Sequence, residues 1–290
     1  MRTILIALGA ALVLAACGGD SGGGGAVRVV ASTPQLADFA RQVGGSRVEV
    51  DALVDGRTDP HDYEPRPSDA RALAEADVVL RSGGEIDDWL RDVVETAGGD
   101  AETVVVGERI GARGDDPHWW QDPSMTLRAV DAIRDAFAKA DAGGAAGYRR
   151  RAAAYAREVR GLDRAIDACM GSIPRERRTL VTNHDSFGWF ARRYGIRVLG
   201  SILPGRSTAA RPSARDVREL VSAIRSERVA AVFPESALDQ RLERAVAREA
   251  GVEVGEPLYA DTLGPEGTYV AALRHDADAM ARAFGGDCDL

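Results

Sequence analysis

Cysteine, histidine and lysine are scarce in this chain: three, four and one in 290 residues, the single lysine being Lys139. So few cysteines exclude a scaffold built from disulfides and a four-cysteine zinc ribbon. Positive charge is also in deficit, with 37 Lys plus Arg against 45 Asp plus Glu and a formal net charge of −8. Without a positive field there is nothing to attract phosphates, so a nucleic-acid partner is not expected. No Walker-type glycine loop is present, so a phosphate cradle has no support. The chain has 45% apolar and 28% charged residues. Those are globular proportions, and the length suits one large domain or two of ordinary size.

The first residues, MRTILIALGAALVLAAC, place Arg2 ahead of an apolar run over 4–16. That run is shorter than the roughly 20 residues a membrane-crossing helix needs, and it suits a secretion signal. Its end, Leu14-Ala15-Ala16-Cys17, resembles a bacterial lipobox, in which cleavage before the cysteine exposes a thiol that carries lipid. Residues 18–26, GGDSGGGGA, then read as a flexible tether. The expectation is an exported domain, lipid-anchored through Cys17 to the outer face of the cell membrane. Cys169 and Cys288 remain, and an even pair in an exported chain points to a disulfide, with two separate thiols as the alternative.

Short valine-rich runs alternate with helical patterns. Strands are expected at residues 27–31, 48–53, 77–80 and 103–106, with helices at 35–43, 68–76 and 86–97. A second series has strands at 179–182, 196–200, 228–233 and 252–254, with helices at 186–194, 213–226, 237–250 and 267–284. A βα rhythm of this kind builds a parallel sheet covered by helices. Between the two series, Tyr148, Tyr155, Val159, Leu162, Ile166 and Met170 make one apolar stripe on a long helix. The fold class is therefore α/β: two βα-repeat lobes with parallel sheets, joined by a single long helix. The division expected is a signal over 1–16, a lipidated cysteine and tether over 17–26, lobes over 27–143 and 175–290, and the linking helix over 144–174.

Three of the four histidines follow expected strands: His61 in DPHDYEP, His118 in DDPHWWQDP and His184 in TNHDSF. A fourth such loop, YADTLGP, offers Asp261. Ligands of open α/β sheets bind beyond the carboxyl ends of the strands, so lobes that face each other would bring all four together. Three imidazoles and one carboxylate suit zinc or a later first-row metal. Asp59, Asp116 and Asp185 lie close enough in sequence to orient the rings. Separations of 57, 66 and 77 residues form no local metal motif, however. Spacing alone leaves ordinary loop histidines as an equal reading.

The motifs separate the two. DPHDYEPRPSD at 59–69, DPHWWQDP at 116–123, TNHDSFGWFARRYGI at 182–196, FPESALDQRLERAVAREAGV at 233–252 and YADTLGPEGTYV at 259–270 occur in that order. They resemble the motifs of the zinc- and manganese-binding solute-binding lipoproteins of bacterial ABC importers, the ZnuA/TroA-type family. The resemblance covers most of the chain after residue 27. It implies His61, His118, His184 and Asp261 as metal ligands, a monomeric non-enzymatic receptor, and an ABC permease as partner. In that family a histidine at the third position goes mainly with zinc and a glutamate with manganese, although some members with histidine also take manganese. Zn(II) is therefore the expected cargo and Mn(II) the alternative. The histidine-rich loop that many zinc members carry before the second motif is absent, since 111–115 reads GARGD. Tyr63, Glu64 and Glu235 are further candidates around the site. His275 is expected at the surface, and Trp119 and Trp120 around the cleft. A zinc hydrolase would need one coordination position open to water. It is the less favoured reading, with a metal-binding adhesin beside it.

Overall fold

The computed structural model describes residues 25–288 and 290. The signal segment and Cys17 lie outside them, and of the tether only Gly25 and Ala26 are described, both exposed. Among the described residues no helix is long and apolar enough to cross a membrane.

The first half begins with β1 (Val27–Ala31), α1 (Pro34–Gly44), β2 (Val48–Ala52), α2 (Pro67–Glu75), β3 (Val78–Arg81), α3 (Trp89–Ala97) and β4 (Glu102–Val105). The strands form one parallel sheet in the order β2-β1-β3-β4. Thr33 and Pro34 fix the start of α1: the Thr33 hydroxyl accepts from the Leu36 amide at 3.4 Å, and proline fills the first turn, where no amide donor is required. Two helices follow where the sequence reading assigns none, α4 (Val106–Ile110) and α5 (Pro123–Ala140). The start of α5 is written in Asp122-Pro123, whose carboxylate accepts from the Ser124 amide at 2.8 Å. Its buried face, Ala129, Val130, Ile133, Ala136 and Phe137, has the three-and-four spacing of a helix.

The long helix α6 (Ala145–Ser172) has 28 residues and so is about 42 Å long. All six residues of the expected stripe are buried, and they belong to one apolar core that also takes in α1, α5 and α10. The second half runs β5 (Thr179–Thr182), α7 (Gly188–Tyr194), β6 (Arg197–Ser201), α8 (Ala214–Glu227), β7 (Ala231–Val232), α9 (Arg241–Ala250), β8 (Glu253–Val254) and α10 (Tyr269–Ala283). β5 pairs parallel with β6 and β7 parallel with β8; a parallel bridge from Thr182 to Phe233 joins the two pairs. The strand expected over 228–233 is shorter than its sequence promised. Helix α8 runs to Glu227, and Arg228 ends it in a left-handed conformation (φ 54°), so the strand β7 begins only at Ala231.

Cys169 near the end of α6 is bonded to Cys288 after α10, across 119 residues and a Cα–Cα distance of 5.7 Å. Closing so long a loop restricts the unfolded chain, worth roughly 3–5 kcal/mol. The Cys169→Ser/Cys288→Ser variant should therefore lose roughly that much stability in a denaturant melt while keeping its metal affinity, because neither cysteine belongs to the histidine cluster.

Candidate metal centre

Each of the four residues is set by its own local device. The chain leaving β2 makes a tight turn at Pro60–Asp62, and the Asp59 carboxylate accepts from the His61 amide at 2.9 Å. The other oxygen of Asp59 accepts from the Thr208 hydroxyl, in the second half of the chain, at 2.5 Å. His118 precedes the turn Trp119–Gln121 that leads into α5. Asp116 Oδ1 accepts from the His118 amide at 3.1 Å and lies 2.9 Å from its Nδ1. An ionised carboxylate only accepts, so this contact puts the proton on Nδ1 and leaves Nε2 as a lone-pair donor. His184 stands at the end of β5 and is fully buried. Asp261 lies in the segment between β8 and α10 and is 2% exposed.

Those four side chains meet. One ligand atom from each of His61, His118, His184 and Asp261 lies within 4.8 Å of all the others. The ring centroids form a nearly equilateral triangle with sides of 5.5, 5.5 and 5.2 Å. Asp261 Oδ2 lies 3.5 Å from His61 Nε2 and 3.2 Å from His184 Nε2, its Oδ1 lies 3.4 Å from His118 Nε2, and the Nε2 atoms of His61 and His118 are 3.4 Å apart. A tetrahedron with arms of about 2.0–2.1 Å, the usual zinc–nitrogen and zinc–oxygen distances, has edges of about 3.3–3.4 Å.

The contacts are close but poorly aligned as hydrogen bonds. His184 Nε2 and both carboxylate oxygens of Asp261 are buried without a hydrogen-bond partner. Buried polar atoms are rarely left so, and these belong to the four residues whose ligand atoms converge. The charges agree with that arrangement. Burial alone would raise the Asp261 carboxyl, but His118 and His184, with the close approach of the His184 and His61 rings, hold it well below the usual carboxylate range. Burial also works against a proton on His61, yet Asp261, Asp59 and Glu85 outweigh it and lift this imidazole above its ordinary value. For His184 burial prevails over Asp261, and the ring sits below its ordinary value. The cluster is thus an anionic carboxylate among imidazoles, in surroundings that would welcome a cation.

The other candidates divide. Asp116 touches the His118 ring, whereas Asp59 supports His61 through the backbone only. Asp185 turns toward Arg206, with 3.7 Å between them. Glu235 is buried close behind Asp261, and burial with the Asp261 charge pushes its carboxyl well above the usual range. Tyr63 donates to Asp69 and packs on Trp89, and Glu64 is exposed. His275 is not the free surface residue expected: it is half-buried on the Tyr259 ring, with Nε2 2.9 Å from the Pro257 carbonyl. Sequence reasoning missed Gln121 and Thr208, which make contacts 139 and 149 residues away, and no local pattern marks such partners. Removing the Asp116 carboxylate in Asp116→Ala should weaken metal binding about 10–100-fold, read by chelator competition, because His118 loses the acceptor that fixes its ring.

Two α/β lobes on one long helix, with a buried cluster of three imidazoles and a carboxylate between their strand ends, define the metal-binding class of solute-binding receptors. The family model described as zinc-uptake complex component A, periplasmic, matches residues 29–283, and the chain belongs to that family. Its curated relatives include the manganese-binding lipoprotein MntA of Bacillus subtilis, 35% identical over 98% of this chain and 100% of the relative. The zinc-binding protein TroA of Treponema pallidum is 31% identical over 91% of each chain. The solved structure of that periplasmic zinc-binding protein superposes with a TM-score of 0.84 at 30% identity, covering 90% of this chain and 99% of the other.

Proposed function

We propose that this chain captures Zn(II) outside the cytoplasmic membrane, through His61, His118, His184 and Asp261, and hands it to an ABC permease. The observation that carries the reading is the convergence of one ligand atom from each of the four residues, all within 4.8 Å of one another, a spacing that one bound ion can bridge. Three nitrogens and one oxygen also favour zinc over manganese, which prefers oxygen. With four protein donors no coordination position is left for a reacting water, so the site suits a receptor rather than a hydrolase. The amino-terminal run ending in Cys17 supports export and lipid anchoring of the mature chain.

Manganese is the second reading, and the identity to MntA over the whole chain favours it. Affinity alone does not separate the two, because zinc out-competes manganese at most sites of this kind. Transport does. Cells lacking this gene should lose permease-dependent uptake of radiolabelled zinc and keep that of manganese. Loss of manganese uptake with zinc uptake intact would establish the second reading, and loss of neither would remove the transport role.

A further inference from the structure

Asp261 and His118 are 143 residues apart in sequence, yet the segments that carry them are joined directly. The carbonyl of Ala260, the residue before Asp261, accepts two hydrogen bonds: from the Trp120 indole N–H at 2.9 Å and from the Gln121 side-chain amide at 3.1 Å. Both donors lie within three residues of His118 and both are buried. A carbonyl oxygen has two lone pairs, so this pair of donors saturates it. Trp120 is held in its turn. Its own carbonyl accepts from the Tyr269 hydroxyl at 2.7 Å and from the Thr126 hydroxyl at 3.3 Å, and its ring meets the His118 ring edge to face at 5.5 Å.

Gln121 is informative because its other end is unsatisfied. Oε1 is buried with no hydrogen-bond partner, an arrangement that costs stability and is seldom kept without a reason. Turning the amide over would set that oxygen against the Ala260 oxygen, so the orientation is fixed by the carbonyl. The same stretch is tied from its other side, where the Tyr259 amide donates to the buried Asp276 carboxylate at 2.8 Å.

We propose that Trp120 and Gln121 are positioning residues that clasp the Asp261 segment to the His118 segment through the Ala260 carbonyl. The two donors, from opposite halves of the chain, are thereby kept in register as one preformed half of the metal site. This rests on the reading of Asp261 as a metal donor. Neither Trp120 nor Gln121 coordinates anything; they act by limiting where the Asp261 carboxylate can go.

The test is a double-mutant cycle. Trp120→Phe removes the indole donor and keeps a ring against His118; Gln121→Leu removes the amide donor; each is made alone, together, and in an Asp261→Ala background. Zinc affinity is read by chelator competition, and the coordination of Co(II), as a spectroscopic substitute, by its visible absorption. Each single change should weaken zinc binding roughly tenfold and the pair roughly a hundredfold, the scale of one lost hydrogen bond each. The Co(II) spectrum of the pair should move toward that of Asp261→Ala, and in the Asp261→Ala background the pair should cost less than about threefold, since coupling through Asp261 is gone. Equal cost in both backgrounds, or an unchanged Co(II) spectrum, overturns the clasp. If Gln121→Leu fails to fold, Trp120→Phe alone runs the same cycle. Wild-type affinity in Asp261→Ala itself would remove the metal reading and the clasp with it, whereas a large Asp261→Ala effect without coupling would remove the clasp alone.

Discussion

His118→Ala is expected to weaken zinc binding by more than about a hundredfold, beyond what loss of an outer hydrogen-bond partner costs, while the chain stays folded. His118 is fully buried, its Nε2 faces both Asp261 and His61 at 3.4 Å, and its Nδ1 is held by Asp116. Alanine removes one of four donors, and the space it leaves faces the Trp120 ring rather than solvent. Chelator competition gives the affinity and circular dichroism checks the fold. His275→Ala is the control, because that ring packs on Tyr259 and takes no part in the cluster, and it should leave affinity unchanged.

Acidification should have the second large effect. An imidazole must give up its proton to coordinate, so protons and metal compete. The direction for each residue sets where this begins. His61 lies above its ordinary value, because Asp261 favours its protonated form over the opposing effect of burial. His184 lies below, and Asp261 stays ionised far into acid. Lowering the pH therefore loads His61 before His184, and affinity should fall about tenfold per pH unit once the pH is below the His61 value, more steeply when a second ring joins. Titrations of chelator-stripped protein at about pH 7.5 and about pH 5.5 should differ by at least tenfold, and equal affinities would exclude histidine ligation. Metal-free protein should show the opposite sign at this group. A raised His61 value stabilises the fold below the unfolded value near 6.5, and that contribution is lost as the pH rises through the folded one.

Much of the fold could be read along the chain because it is local. The stripe from Tyr148 to Met170 has a helical period, and the valine-rich runs at β1 and β3 are strands buried on both faces. Helix α5 was equally legible in Asp122-Pro123 and its apolar spacing, although its first residue also closes the motif that carries His118. At Arg228 the strand pattern lost to a helix cap, a competition that the apolar run itself does not display. The site divides in the same way. His61, His118, His184 and Asp261 could be chosen from ordered motifs, and the structure brings the four together. Their supports could not: Thr208 reaches Asp59, and Gln121 reaches the Ala260 carbonyl, only because the two halves of the chain meet. Contacts between distant segments leave no periodicity or spacing behind.

The central claim is that three imidazole nitrogens and one carboxylate oxygen hold a single zinc ion. X-ray absorption at the zinc edge of the loaded protein tests it most directly. The expected spectrum is one four-coordinate zinc per chain with nitrogen and oxygen neighbours at about 2.0–2.2 Å, and imidazole scattering from three rings. A six-coordinate oxygen shell, a sulfur neighbour, or scattering from fewer than three imidazoles would contradict it.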